Sequence, residues 1–540
     1  MYTTPAGQRP DRLARGEMTA AQLKLSENEL DQALAFVVDH GYSYYLPVPF
    51  ELEALKHVWD HVRPALASVN LLSYTPHRCS ELLAPKNKYT VRPIQLLDPI
   101  DLLFLTSLTL RIAPVLESAR IPRSEGVVHS FRFTQEPDGR LRLESDWDEW
   151  ARHVRERLSE RKMVAKADIV DFFPRIYLHR LENSLDSLEG VEQETRAIMR
   201  LLHNWSHGTS YGIPVGPVAC NILAEALLVE VDDFLQSQGL IFVRYIDDYV
   251  FFGANEADCL RSLYLLGQRL HSTQGLSLNM AKTRLLTAAQ FASELAPPDD
   301  PTSVLQGRII EEVFGGDPYA ELDPTKLTEH EKELIGDLDS SRMLVLALEG
   351  DIIDLRAVKF VLNVLAGLRQ PKHIEAVLQQ LDRLQPVSEA VGRFLNLVEF
   401  EHDAQRKDTA QKVLAYLRTG QFVSDFQSVW LLEPFARSGE WDHVDELRVI
   451  ARDSRSRLVR RQAALALGHL GDRSALLDLK SCLDDAQDWE WRAILFACRG
   501  LPRDERDALW RSQALAGDWR PENSVAKATV EYAQREAKLR

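Results

Sequence analysis

The stretch Phe242-Val-Arg-Tyr-Ile-Asp-Asp-Tyr-Val-Phe-Phe252 decides how the chain is read. Two adjacent carboxylates, Asp247 and Asp248, interrupt a run of aromatic and β-branched residues of the kind that build strands. The pattern predicts two short strands, one ending at Ile246 and one starting at Tyr249, with a tight turn that exposes the acidic pair. Like charges side by side repel, and hard divalent cations, which take oxygen ligands, relieve that repulsion. Aspartate also favours turns for backbone reasons of its own, so the hairpin alone leaves a turn without chemistry open.

Upstream, Lys166-Ala-Asp-Ile-Val-Asp-Phe-Phe-Pro-Arg-Ile176 supplies a third carboxylate, Asp168, on an apolar strand-like run. A helix follows from Leu178 to about Leu188. The segment Tyr211-Gly-Ile-Pro-Val-Gly-Pro-Val-Ala-Cys220 then opens a second helix. Gly212 and Gly216 permit close backbone approach there, either for a flat base pair or simply for a loop. Beyond the hairpin come a helix from about Glu256 to Thr273 and a turn and strand over 275–286 containing Lys282. The order β-α-β-β-α-β from 164 to 286 is the ferredoxin-like split βαβ unit, which sets the Asp168 strand beside the hairpin.

Further out, Lys86, Lys88 and Arg92 alternate along a second predicted hairpin. On one face they suit a triphosphate, which arginine grips bidentately; otherwise they are a solvated basic face. Tyr42, Tyr44 and Tyr45 form a dense group beside prolines, either a packed loop or a set of solvent-reachable hydroxyls and stacking rings. Ser26 to Glu29 reads as a capping box, and a long helix is expected from Leu102 to about Arg120. A helix around 147–166 bears Arg152, Arg155, Arg157, Arg161 and Lys162, as a solvated face or a nucleic-acid flank. From about 340 the pattern is helical to the end, with joints at Gly439, Gly471 and Pro502 spaced 31–32 residues apart. That period predicts a solenoid of helical hairpins akin to HEAT repeats. Arg452, Arg455, Arg457, Arg460 and Arg461 concentrate on one repeat and are expected to line its concave face.

With 540 residues the chain is too long for one core, and roughly two to four domains are expected. Its 45% hydrophobic and 27% charged residues are those of an ordinary globular protein. Five scattered cysteines without a Cys-x-x-Cys pair suggest neither a cysteine zinc site nor a disulfide framework. A net charge of −16 argues against a protein that coats nucleic acid non-specifically, because such binding runs on lysine and arginine. The start of the chain has no apolar signal core and no later stretch reads as ~18 apolar residues, so no membrane association and a cytoplasmic location are expected.

Taken together, Lys86 to Arg92, Asp168-Ile-Val-Asp-Phe-Phe-Pro, Gly212-Ile-Pro-Val-Gly-Pro, Tyr245-Ile-Asp-Asp and Leu278-Asn-Met-Ala-Lys282 resemble, in order, the fingers and palm motifs of reverse transcriptases. The resemblance spans roughly residues 80–290. Within that group the chain looks like the bacterial abortive-infection and defence-associated enzymes, by its glycine loop followed by Leu-Ala-Glu, its short palm and its helical tail. The resemblance implies an α+β fold: right-hand polymerase fingers and a ferredoxin-like palm, followed by an all-α HEAT-like domain. The implied division is a poorly ordered leader over 1–25, fingers and palm over 26–290, a connection over 291–340 and helical repeats over 341–540.

It implies catalytic roles for Asp168, Asp247, Asp248 and Lys282. Asp168, Ile169, Asp247 and Asp248 would form the site for two Mg²⁺ ions, with Mn²⁺ as the alternative. Lys86, Lys88, Arg92, Phe173 and Gly216 would contact the deoxynucleoside triphosphate, Phe173 by blocking a 2′-hydroxyl. Lys282 would protonate the departing pyrophosphate. Where most templated relatives have glutamine, this chain has Val215, which cannot hydrogen-bond. That departure fits untemplated, protein-primed DNA synthesis, with Tyr42, Tyr44 and Tyr45 as candidate priming residues. The implied partners are dNTPs, a DNA product, an RNA template in the alternative where a dedicated non-coding RNA is copied, and further copies of the chain through the helical repeats. A scaffold or nucleotide sensor is the rival from another class. The implied setting is antiphage defence.

Overall fold

The computed structural model describes residues 22–295, apart from 137–140, 145–146 and 207, and residues 324–539, apart from 326, 337–339, 349–352, 421 and 514–518. The expected leader up to residue 21 and the expected connection over 296–323 lie outside the described residues.

At the centre is a four-stranded antiparallel sheet built from β5 (Met163–Asp168), β6 (Phe242–Tyr245), β7 (Asp248–Gly253) and β8 (Arg284–Thr287) in the order β6-β7-β5-β8. This is the strand order that the split βαβ reading requires. The hairpin differs in one detail from its sequence pattern. Asp248 begins β7, paired with Tyr245 on one side and Asp168 on the other, so the turn is only Ile246 and Asp247. Both carboxylates are half-buried rather than exposed, because β5 closes over that end of the hairpin. The expected strand over 275–286 shortens to β8, since Ser277 to Asn279 run past the end of β5 and accept or give hydrogen bonds there.

Period-2 alternation explains why these strands look almost continuously apolar. Ala165, Ala167, Tyr249 and Phe251 enter the main core with the helices Leu178–Asp186 and Val218–Ser237. Val164, Val243, Val250 and Phe252 face the other way, into a second cluster closed by Trp150, Ala151 and Val154 of helix Trp147–Glu160 and by Phe291. Each valine or phenylalanine among them contributes about 1.5–3 kcal/mol when fully removed from water. The basic helix expected around 147–166 is therefore a lid on the sheet by its apolar stripe. On its outer face Arg152 is answered by Glu149 and Glu156 at 3.1 and 2.7 Å.

Two smaller hairpins flank the sheet: β1 (Ser80–Pro85) with β2 (Val91–Leu96), and β3 (Arg132–Gln135) with β4 (Leu141–Glu144). The capping box at Ser26 and Glu29 is formed, and the helix Glu27–His40 starts there. Helix Pro99–Ala119, capped by Asp98, is long and apolar enough by composition to cross a bilayer, a property the residue-by-residue hydropathy reading overlooked. In the fold 83% of its apolar window is buried, so it is the core helix of this half of the molecule.

The described residues from 340 onward form helices without strands. Helix Val444–Asp453 packs along Arg457–Leu470, which in turn lies between Asp425–Arg437 and Asp488–Ala497, so successive helices stack into a solenoid, with Gly471 at φ 72° ending one helix in the left-handed conformation. The arginine cluster does not form the free concave face expected of it. Arg461 is buried against Glu51 at 2.7 Å, Arg460 grips Glu490 at 2.6 and 2.8 Å, and Arg452 pairs with Asp453. Buried arginines must be paired to be tolerated, and here the partners come from the next repeat and from the N-terminal half. Arg492 and Asp98, at 2.9 Å, make a second buried link across the same junction. Trp430 Nε1 donates to the Tyr45 carbonyl at 2.9 Å, and Arg437 to the Val48 carbonyl at 2.7 Å. The solenoid is thus seated on the tyrosine-bearing segment.

Candidate active site

The turn between β6 and β7 depends on Ile246 at φ 56°, a conformation that costs a β-branched residue on the order of 1–2 kcal/mol. Two bonds hold it there, and a third backs one of them. Ile246 N–H donates to Ser130 Oγ at 2.9 Å, its carbonyl accepts from Arg244 Nη1 at 2.8 Å, and Ser130 Oγ donates in turn to Glu225 at 2.6 Å. Arg244 is fully buried and bonds Asp232 at 2.6 Å and Glu225 at 2.9 Å, while Arg120 bonds Glu225 at 2.8 Å and Tyr249 Oη donates to Asp232 at 3.2 Å. Burial opposes the charge on Glu225, yet Arg244 and Arg120 outweigh it and keep its carboxyl below the ordinary range. At Asp232 burial wins and the carboxyl is pushed up. This network escaped the sequence reading. Its only trace there is an arginine inside an otherwise apolar strand.

Register then assembles the carboxylates. Asp168, last in β5, lies opposite Asp248, first in β7, and Ile169 N–H donates to the Asp247 carbonyl at 3.3 Å. Asp168 is 4% exposed, and both its oxygens are fixed: Oδ1 accepts from Lys282 Nζ at 2.5 Å and Oδ2 from Asn279 Nδ2 at 2.9 Å. Asn279 N–H also donates to the Asp168 carbonyl at 2.7 Å. Asn279 is a positioning residue the motif contained but the reading left without a task. Burial, and repulsion from Asp248 and Asp168, push the Asp247 carboxyl up to about 7 against the opposing pull of Lys282. Burial raises Asp248 as well.

These groups floor a cavity of about 890 Å³. Lys86, Arg92, Tyr44, Tyr45, Phe173, Val215 and Gly216 contribute to its walls. Gly216 has φ 129°, and a Cβ there would stand 2.7 Å from Ser43 Oγ, so the close approach requires glycine. Val215 N–H donates to Gln95 Oε1 at 2.8 Å, tying the glycine loop to β2. Arg92 lies over the Tyr45 ring, 5.2 Å from its centroid, and donates to its hydroxyl.

Two expected residues are placed elsewhere. Lys88 sits at the exposed tip of the β1–β2 turn, over Tyr89, outside the cavity lining. Tyr42 is 2% exposed with its hydroxyl donating to the Leu97 carbonyl, so it is a core ring and not a solvent-reachable nucleophile. Tyr44, by contrast, is 42% exposed on the cavity wall.

Three carboxylates facing one ammonium form an all-oxygen, net negative donor set, which fits a hard divalent cation. Because the raised Asp247 must lose its proton to bind one, cation binding by the purified protein is expected to weaken as pH falls below 7. Calorimetry with Mg²⁺ or Mn²⁺ in buffers of different ionisation enthalpy should read about one proton released per cation-binding event at pH 6 and close to none at pH 9. A proton count that does not change with pH would contradict the raised carboxyl.

Residues 85–314 match the family model described as reverse transcriptase (RNA-dependent DNA polymerase), and residues 427–498 match one described as HEAT repeats. The chain is 29% identical over 143 residues to the Retron Mx65 reverse transcriptase of Myxococcus xanthus, an alignment that covers 23% of this chain and 33% of that protein. It therefore spans a third of the length of that curated relative. Among solved structures it is similar to telomerase from Candida albicans in complex with a TWJ fragment of telomeric RNA, with TM-score 0.33, 10% identity and 67% of each chain covered. It is also similar to apo telomerase from Candida tropicalis, with TM-score 0.30, 11% identity, and 84% of this chain and 74% of that one covered.

Proposed function

We propose that this chain, a reverse transcriptase domain followed by HEAT-type helical repeats, is a DNA nucleotidyltransferase that adds deoxynucleotides to a growing strand. The observation that carries the reading is the register of β5 against β7, which gathers Asp168, Asp247 and Asp248 with Lys282 under a basic-walled cavity. Asp168, Asp247 and Asp248, with the Ile169 backbone beside them, would hold two Mg²⁺ or Mn²⁺ ions. Bound there, such ions supply activation of the attacking hydroxyl and charge neutralisation at the leaving pyrophosphate. Lys86 and Arg92 neutralise the triphosphate in the cavity, and Lys88 draws the anion in from the hairpin tip. Phe173, half-buried on the wall, excludes a 2′-hydroxyl by its bulk, and the close backbone at Gly216 leaves room for the base. Lys282 Nζ, aligned by Asp168, holds the proton that the departing pyrophosphate takes up. The test is incorporation of labelled dNTPs by the purified chain, lost in Asp247→Ala.

We divide the chain functionally into a polymerase part over 26–290, a connection over 291–340 and the repeats over 341–540, and we assign the activity to antiphage defence of the abortive-infection type. Val215 favours synthesis without a template, because the loop's side chain offers an incoming nucleotide no hydrogen bond, and its N–H is already spent on Gln95. A random or homopolymeric product sequence is the expected result; one fixed complementary sequence would instead mean a dedicated RNA template. For priming, Tyr44 is the hydroxyl we favour, since Tyr42 is buried whereas Tyr44 stands 42% exposed on the cavity wall. A DNA–protein adduct resistant to SDS and boiling is then expected, lost in Tyr44→Phe and kept in Tyr42→Phe. Free DNA as the sole product would overturn protein priming.

A further inference from the structure

Beside β6, away from the carboxylate floor, the segment Val127–Ser130 runs along Arg244. Arg244 N–H donates to the Val127 carbonyl at 2.7 Å, and His129 N–H donates to the Arg244 carbonyl at 3.2 Å. The His129 side chain is 4% exposed, yet its Nε2 is buried without a hydrogen-bond partner, while the Gly126 carbonyl holds its ring. Facing it from helix Trp147–Glu160 is His153, with ring centroids 5.1 Å apart, its ring held in turn by the Glu149 carbonyl one turn back. Buried polar atoms without partners are rare enough that each calls for an ion or a water. One turn earlier on the same helix is Glu149. One ligand atom from each of His129, Glu149 and His153 lies within 4.8 Å of the others.

We propose that His129, His153 and Glu149 form a second metal site, for Zn²⁺ or a similar imidazole-preferring divalent ion, that clasps helix Trp147–Glu160 to the Val127–Ser130 segment beside β6. Two imidazoles and one carboxylate, with water in the fourth position, are a familiar zinc donor set, whereas Mg²⁺ prefers the all-oxygen floor. Zinc–ligand bonds of about 2.1 Å require the three side chains to close by about 1 Å. The carbonyl on the His129 ring is the outer hydrogen bond that fixes which nitrogen faces a metal. Arg152, 3.1 Å from His153 Nε2, and Arg157, whose Nη1 donates to the His153 carbonyl at 3.3 Å, are opposing charges in contact, and Glu156 at 2.7 Å still answers Arg152 when Glu149 turns to the metal. Gly126 belongs to the same arrangement: a Cβ on it would stand 2.4 Å from the His153 ring. This site does not depend on the polymerase reading.

The test uses the full chain without a polyhistidine tag, stripped of metal and titrated with Co²⁺ under excess Mg²⁺, which keeps the carboxylate floor occupied. Strong visible absorption of a four- or five-coordinate Co²⁺ is expected to saturate at one equivalent, and Zn²⁺ should abolish it and raise the unfolding temperature. His153→Ala, on the outer helix, is expected to remove both signals while retaining the wild-type circular dichroism. Glu149→Gln should weaken Co²⁺ binding, and Asp247→Asn should leave it unchanged. Absence of the band in the wild-type chain would overturn the proposal, and so would a band and thermal shift that persist in His153→Ala. If His129→Ala fails to fold, the two helix variants still decide.

Discussion

Asp247→Ala is expected to lower deoxynucleotide incorporation by about 10³-fold or more while leaving the fold intact. A carboxylate that holds a catalytic cation is worth several kcal/mol of transition-state stabilisation, and each 1.36 kcal/mol is about tenfold in rate. The fold should survive because Asp247 is held against its own electrostatics. Burial and the repulsion of Asp168 and Asp248 raise it to about 7, so removing it relieves like-charge repulsion. The unfolding temperature in metal-free buffer at pH 8 should therefore be unchanged or higher. Incorporation of labelled dNTPs and thermal unfolding, measured on the same preparation, separate the two effects. A variant as active as the wild type would remove the central assignment, and one that is inactive only because it is unfolded would leave the role of Asp247 unsupported.

Arg244→Ala is expected to do the opposite: to unfold the palm rather than spare it. The arginine is completely buried, neutralises Asp232 and Glu225 together, and holds the Ile246 carbonyl in its left-handed turn. Removing one partner of a buried ion pair leaves an uncompensated charge, at a cost of about 3–5 kcal/mol. Arg120 still answers Glu225, so the burden falls mainly on Asp232, whose carboxyl burial already pushes up. Urea unfolding followed by tryptophan fluorescence should show the loss, and the double variant Arg244→Leu with Asp232→Leu should recover part of it. A loss below about 1 kcal/mol would mean that the network does not hold the hairpin.

The contrast between these two substitutions reflects what a linear reading can and cannot see. Asp247 announced itself because an acidic pair in an apolar strand pattern is a local anomaly. Arg244, two residues from the turn, did not, because its meaning lies in Asp232 and Glu225 on a different element. Lys86, Arg92, Phe173 and Gly216 were found by motif order and all reach the cavity, whereas Lys88 follows the same alternation and ends on the tip of the turn. Alternation assigns a face only while the chain is a strand, and residues 86–90 are not. Asn279 stood inside a recognised motif with no task until its amide was seen on Asp168.

By itself the sequence determined the split βαβ palm, the meeting of Asp168 with the hairpin and the helical repeats. Each rests on a period or a spacing that the backbone imposes locally: two residues per strand repeat, 31–32 per helical hairpin. Only the tertiary structure decided that Tyr44 and Tyr45 line the cavity while Tyr42 is a core ring. It also decided that the basic repeat is spent on ion pairs such as Arg461 with Glu51, 410 residues apart, and that His129 faces His153 across Gly126. Burial and charge pairing depend on groups brought together from distant parts of the chain, and no local pattern records them.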